Sequence, residues 1–299
     1  MGNYEKLIYT NERGESLVFS PTCVFHCNVS KDVTGISDIK NTLYTTNSMG
    51  QHGDTYIGQR IEPRDITITG SIATRDKDRA LELRRQAQKI LNPELDATLT
   101  YVYKDFVRVI DCKGEDTPKF THKSIYQDFT IMLNCPNPFW REETEEKEDI
   151  ASWVACLEFA LEIDADEGIE FGYREPSVIV DVYNDGDVST GMRIEFRATG
   201  TLTNPQLLNV DTGEYIKIGS EENTVTLIAG DTVTVNTEYG KKGVTLTRGG
   251  VSEDYFRNID VESTFMQLEI GDNVFRYDAD TNADALEVTI YHSNKYLGV

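Results

Sequence analysis

The chain has 299 residues, 39% of them hydrophobic, with 29 basic and 51 acidic side chains and a net charge of −22. That length suits two domains better than one and leaves enough apolar material for packed cores. The charge has the wrong sign for a nucleic-acid binder, and no apolar run is long enough to span a bilayer. Residues 1–140 are nearly neutral at −1, whereas residues 141–299 carry −21.

The N-terminus, MGNYEKLIYT, lacks the basic start, apolar middle and small-residue cleavage site of a signal peptide. Lys6 also stands where a myristoylation signal requires Ser or Thr. The expectation is a protein made and kept in a cytoplasm until released. Five cysteines (Cys23, Cys27, Cys112, Cys135 and Cys156) are odd in number and scattered, which argues against a disulfide framework and for small buried side chains. CVFHC, Cys23 to Cys27, offers two thiols and His26, but no second pair of ligands completes a zinc site. As an extended segment it would put Cys23, Phe25 and Cys27 on one face and His26 on the other.

Asn47 to Gly58, NSMGQHGDTYIG, holds Gly50, Gly53 and Gly58 with Tyr56 among them. It reads as a long hairpin, either an arm reaching a neighbouring molecule or an ordinary mobile loop. Next comes EPRDITITGSI, which contains Arg64 and alternates as a half-buried strand, with Ile66, Ile68 and Ile72 on one face and Thr67 and Thr69 on the other. From Thr74 to Pro93, Ala80, Leu83, Ala87, Ile90 and Leu91 recur at helical spacing. Asp76 and Asp78 suit the start of that helix, and Asn92-Pro93 stops it. Strands resume in ATLTYVYKD, FVRVIDCKG and YQDFTIMLN.

NCPNPFW, Asn134 to Trp140, ends the last of these strands, because Pro136 and Pro138 cannot continue a ladder. Phe139 and Trp140 are expected to fold back as a plug, and the charge block Glu142 to Asp149 to turn toward solvent. ASWVACLEFALEI, Ala151 to Ile163, is ambiguous between helix and strand. Beyond it, short strands recur: SVIVDVY, MRIEFRATG, EYIKIG, NTVTLI, DTVTVNT, GVTLTR, TFMQLEI, NVFRYD and LEVTIYH. Turn signals at Asn184–Asp187, Asp211–Gly213, Ala229–Asp231 and Gly271–Asn273 separate them, which indicates a β-sandwich or jelly roll.

Catalytic patterns are missing from the sequence. No G-x-S-x-G elbow, P-loop or dinucleotide fingerprint occurs, and with 51 acidic residues no carboxylate pair is singled out. DADTNADALEVT, Asp278 to Thr289, alternates oxygen ligands like a calcium loop. However, Ala283 replaces the required glycine and Thr289 the bidentate glutamate, so it reads as an acidic turn. The expectation is no catalytic residue, no metal and no cofactor. The 15 tyrosines, 12 phenylalanines and two tryptophans leave an aromatic sugar-binding surface open as an alternative.

Six strings, in order, resemble the distal tail proteins of long-tailed phages that infect Gram-positive bacteria. They are LIYTNERGESLVF, TYIGQRIEPRDITITGSI, FTIMLNCPNPFW, IEFGYREPSVIVDVYNDGDVSTGMRIEFRATGTLTNPQLLN, STFMQLEIGDNVFRYDAD and the terminal YLGV. The resemblance implies a mainly β fold: an N-terminal β-rich, ring-forming domain with one α-helix, and a C-terminal galectin-like β-sandwich. On this chain the parts would be residues 1–140, an acidic linker and lead-in over 141–175, and the sandwich over 176–299. It also implies a homo-hexameric ring at the virion tail tip or baseplate. The ring would join the tail tube protein to a tail-associated lysin or fibre protein, with receptor-binding or baseplate proteins on its rim and no membrane or sequence-specific nucleic-acid contact. Asn137, Pro138, Phe139, Trp140, Tyr56 and Arg64 are the family-motif positions, and Gly50, Gly53, Tyr56 and Gly58 mark the candidate inter-subunit arm. A near-neutral first domain can pack against its own copies, whereas six domains at −21 would repel unless held apart. The alternative is an adhesion module recognising the host cell wall through the sandwich.

Overall fold

The computed structural model describes residues 5–74, 76–122, 126–149, 153–155, 172–174 and 179–299. They form two compact units: Met1–Glu143 together with Lys295–Val299, and Thr144–Asn294.

The first unit contains β1 (Lys6–Asn11), β2 (Ser16–Ser20), β3 (Phe25–His26), α1 (Val29–Asp32), β4 (Val33–Thr34), β5 (Asn41–Thr46), β6 (Thr55–Ile61), β7 (Arg64–Ala73), α2 (Lys77–Ile90), β8 (Asp96–Tyr103), β9 (Phe106–Gly114), β10 (Lys119–His122), β11 (Tyr126–Cys135) and β12 (Trp140–Arg141). Seven strands run in the order β11-β7-β3-β2-β1-β8-β9, and β9 meets β11 again, which closes a barrel. Period-two alternation fills it. Leu7 and Tyr9, Ile66, Ile68 and Ile72, Leu99, Ile110 and the alternate residues Phe129, Ile131 and Leu133 all point into one core. Phe19, Phe25 and Phe129 pack edge-on or tilted, with ring centroids 5.8–6.1 Å apart.

Helix α2 lays Leu83, Ala87 and Ile90 against this core and buries Ala80 as well, the face its spacing predicts. The Asp76 side chain accepts from the Asp78 N–H at its start, and Asn11 Nδ2 donates to the Ile90 carbonyl at its end. CVFHC contributes only Phe25 and His26 to a strand, with Phe25 and Cys27 buried and His26 exposed. A one-turn helix follows it, so the first unit has a second, short helix beside the expected one.

The second unit contains β13 (Glu146–Asp149), β14 (Trp153–Ala155), β15 (Gly172–Arg174), β16 (Ile179–Asn184), β17 (Met192–Ala198), β18 (Leu202–Asn209), β19 (Tyr215–Lys217), β20 (Thr226–Leu227), β21 (Thr232–Asn236), β22 (Gly243–Arg248), β23 (Val251–Asp254), β24 (Gly271–Thr281) and β25 (Leu286–His292). A six-stranded sheet, β13-β25-β17-β21-β22-β23, and a five-stranded sheet built on β16-β24-β18-β19 share one core. Phe196, Val233, Leu246 and Ile290 come from the first sheet, and Leu207, Ile216 and Phe275 from the second. At one corner Arg248 grips the buried Asp231 carboxylate with two hydrogen bonds, 2.9 and 2.6 Å.

Four sequence expectations change here. The charge block does not simply turn to solvent, because Glu146–Asp149 pairs with β25 as an edge strand. The Glu146 side chain reaches Asn294, and Asp149 accepts from Thr289. TFMQLEI is not a strand. It makes one isolated bridge, Thr190 to Leu268, and buries Met266 and Leu268. NTVTLI shrinks to Thr226–Leu227, and Gly271–Asn273 opens β24 instead of forming a separate turn. Most of Ala151 to Ile163, including Cys156, lies outside the described residues.

The chain then returns to the first unit. A last strand, β26 (Lys295–Tyr296), pairs with β12, Trp140 opposite Tyr296 and Arg141 opposite Lys295. The Tyr296 ring lies under the Arg108 guanidinium at 3.9 Å, and its hydroxyl donates to Glu142.

Candidate functional site

Two features of the first unit stand out, a buried arginine and an exposed hairpin, and the chain links them directly. Arg64 opens β7 and is buried. Its guanidinium donates to five backbone carbonyls: Pro138 through Nε at 2.7 Å, Gly35, Ile36 and Asp38 through Nη1 at 2.9, 3.1 and 3.0 Å, and Leu297 through Nη2. Among the described residues it makes no ion pair. Burial lowers its pKa from the ordinary guanidinium value, and nearby Cys135 and Asp38 oppose that shift. Arginine suits such a place because it stays charged and carries a rigid fork of five N–H donors. Trp140 is fully buried beside it, and its indole N–H donates to the Ile36 carbonyl at 3.0 Å. Gly35 has φ +85°, and a Cβ there would sit 2.0 Å from the Asp65 carbonyl oxygen, so only glycine lets this loop pass so close to β7.

The segment 35–38 held in this way leads straight into the hairpin β5–β6. A backbone bond from the Glu62 N–H to the Lys40 carbonyl, 2.9 Å, closes the hairpin base. Beyond that base, among the described residues, the two strands pair only with each other. Leu43 is 59% exposed, Tyr56 57% and Ile57 65%, and Met49 near the tip is fully exposed. A bulge falls at Ile57, since Tyr44 opposes Gly58 and Thr45 opposes Tyr56. Gly58 offers no side chain to cover Tyr44. Gly50 and Gly53, both at positive φ, turn the tip, and Asp54 ties it by accepting from Thr45 and Asn47. A lone two-stranded ribbon is marginal in water, and contiguous exposed apolar side chains mark a contact surface.

Of the motif residues, Arg64, Pro138 and Trp140 meet at one point. Asn137 is exposed and its Oδ1 accepts from the Phe139 N–H, and Phe139 is half-buried. Tyr56 stands on the hairpin and adds no bond to the arginine cluster. The carbonyls of Gly35, Ile36, Asp38 and Leu297 were missed from sequence. Backbone acceptors leave no residue-type signal, and Leu297 is 233 residues from Arg64.

In the second unit, Phe256 and the partly buried Phe265 stack at 5.9 Å, and the Lys242 ammonium lies 5.4 Å from the Phe265 ring and 5.0 Å from Tyr239. The calcium-like stretch is engaged otherwise. Asp280 accepts from Lys217 and Asn204, which lower its pKa against the opposing effect of burial. Among the described residues no cluster of three or more His, Cys, Asp or Glu could hold a metal ion, and no helix is long and apolar enough to cross a membrane.

The barrel and the two-sheet unit each match a family of phage tail components. The family model of the phage tail protein RIFT-related domain matches residues 26–135, and that of the siphovirus-type tail component, C-terminal domain, matches 185–296. The chain belongs to the phage distal tail protein family. No curated protein sequence matches it. Among solved structures it is similar to the SPP1 Dit (gp 19.1) protein, described as a paradigm of hub adsorption apparatus in Gram-positive infecting phages. Identity is 14%, with 97% of this chain and 99% of that one covered and a TM-score of 0.66. The phage P2 baseplate in its activated conformation with Ca matches at 14% identity, 99% of each chain and a TM-score of 0.53. The same baseplate with Sr matches at 15%, 100% of each chain and 0.54.

Proposed function

We propose that the protein is the structural hub of a phage or phage-derived tail tip. Six copies form a ring that joins the tail tube to the tail-associated and receptor-binding proteins, and the ring works by docking, without catalysis. One observation carries this reading: a firmly rooted hairpin whose two strands have no further partner among the described residues and whose apolar side chains are exposed. In a head-to-tail ring each copy presents one such arm and receives one, so a single heterologous contact repeated around an axis satisfies all six. The near-neutral first 140 residues suit self-packing, while the acidic remainder favours wide spacing of the second units. The subunits are made in the bacterial cytoplasm and leave in the virion. Native mass spectrometry of the purified chain, alone and mixed with the tail tube protein, tests the proposal. A six-fold mass is expected in at least one of the two, and a strict monomer in both would overturn it.

A second reading is a cell-wall glycan contact through the sandwich unit. It is favoured by the exposed Tyr239 and Phe256, with Phe265 and Lys242 between them. Glycan-array binding that is lost in Tyr239→Ala would support it, and silence on the array would retire it.

A further inference from the structure

The barrel is closed by a short seam. Strands β9 and β11 share only two register pairs, Leu133 opposite Gly114 and Asn134 opposite Lys113, whereas β11 and β7 share ten. Carried one residue further, the same register sets Cys135 opposite Cys112. Both are free thiols and both are buried, at 0% and 4% exposure. The inward-facing residues on either side, Leu133 and Ile110, show that the two cysteines point into the barrel.

The ladder also fixes their spacing. The Glu115 N–H donates to the Met132 carbonyl at 3.0 Å, so that pair is hydrogen-bonded. Pairs alternate along an antiparallel ladder, which makes Cys112 and Cys135 a non-hydrogen-bonded pair, the kind with Cα atoms about 4.5 Å apart and side chains closest. That separation lies inside the range of about 4.4–6.8 Å that a disulfide spans. The two groups also sense each other electrostatically: burial is the main cause of the raised pKa of Cys112, and Cys135 adds to it.

We propose that Cys112 and Cys135 form a disulfide across this seam when the chain folds or is held under oxidising conditions, bracing the short closure of the barrel. Either thiolate can open the exchange, and when Cys135 does so Cys112 resolves it. With oxidised glutathione as oxidant, the Cys135 thiolate attacks one glutathione sulfur and releases one reduced glutathione. The Cys112 thiolate then attacks the resulting mixed disulfide at Cys135 and releases the second. Two protein thiols are oxidised, one glutathione disulfide is reduced, and the two protons end on the departing thiols. Burial slows this in the closed barrel, so the bond forms during folding or when the seam opens. The inference is independent of the hub reading.

The test is to unfold the full-length chain and refold it in oxidised or in reduced glutathione. Free thiols are then alkylated and peptides mapped without reduction. Oxidative refolding is expected to link the peptides that carry Cys112 and Cys135. The oxidised protein is expected to melt several degrees above the reduced one, and Cys112→Ala and Cys135→Ala should each erase that difference. Because each variant is compared with itself in two redox states, any packing cost of the substitution cancels. If a variant does not fold, the wild-type map still decides. Full alkylation of both thiols after oxidative refolding, or linkage of either to Cys23, Cys27 or Cys156, would overturn the proposal. A linked protein with an unchanged melting point would overturn the bracing role.

Discussion

Trp140 and Arg64 act through the same loop, from opposite kinds of chemistry. The indole supplies buried apolar volume and one N–H, while the guanidinium supplies several N–H donors and one charge. Trp140→Ala should cost roughly 3–5 kcal/mol in a denaturant titration, the range for emptying a fully packed aromatic site. Arg64→Lys keeps the charge but has no planar fork, so several buried carbonyls lose their donor, at about 1–3 kcal/mol for each left unsatisfied. If the Arg64→Lys variant unfolds like wild type, the carbonyl cluster is not holding the loop. Asp231 behaves differently. Its hydrogen bonds to Arg248, more than the opposing effect of burial, lower its pKa below the ordinary aspartate value. The stabilisation is therefore present above the unfolded-state pKa and lost as pH falls through the lower, folded-state one. Thermal melts of the wild type should show a loss of stability in that acidic window, and Asp231→Asn should lack that component of the loss.

Whole elements were legible in proportion to how local their signal is. Helix α2 shows its spacing, N-terminal aspartate and stopping Asn-Pro within one stretch, and β7 shows its alternating isoleucines. Neither needs a distant partner to be recognised. The hairpin was visible as a run of glycines, but its exposed Leu43, Tyr44 and Ile57 look like ordinary strand residues until the fold shows that nothing covers them. TFMQLEI has a strand-like composition, yet its Met266 and Leu268 are buried without a ladder on either side, because burial and not pairing decides where they sit. Replacing residues 43–57 with a short Asn-Gly turn should leave the melting temperature within a few degrees of wild type, because the removed strands contribute little to the core. The same change should abolish any higher-order species in native mass spectrometry. Oligomers that persist without the hairpin would assign the ring contact to another surface.

At the scale of the molecule, the division into units follows contacts that no local pattern announces. Lys295–Val299 follows the whole second unit in sequence but packs with the first, through β26, Leu297 and the bond from Ser37 to the Val299 carbonyl. The family resemblance places these residues in the sandwich, over 176–299. Removing residues 295–299 should therefore lower the protection of β12 and the 35–38 loop in hydrogen exchange, and leave β17 and β25 unchanged. Loss of protection in the second unit instead would contradict the observed docking of the tail.

The same return strand gives the chain a further property. Arg141 and Lys295 are partners across one ladder, so the second unit leaves and rejoins the barrel at neighbouring positions. Its two ends are as close as the ends of a hairpin loop, and in that sense the entire 151-residue unit, Thr144 to Asn294, is a very long loop. A cassette mounted on paired ends can be enlarged, exchanged or trimmed to a turn without changing the register of the strands that carry it. The first unit can thus keep its fold while the sequence between β12 and β26 is lengthened, exchanged or trimmed.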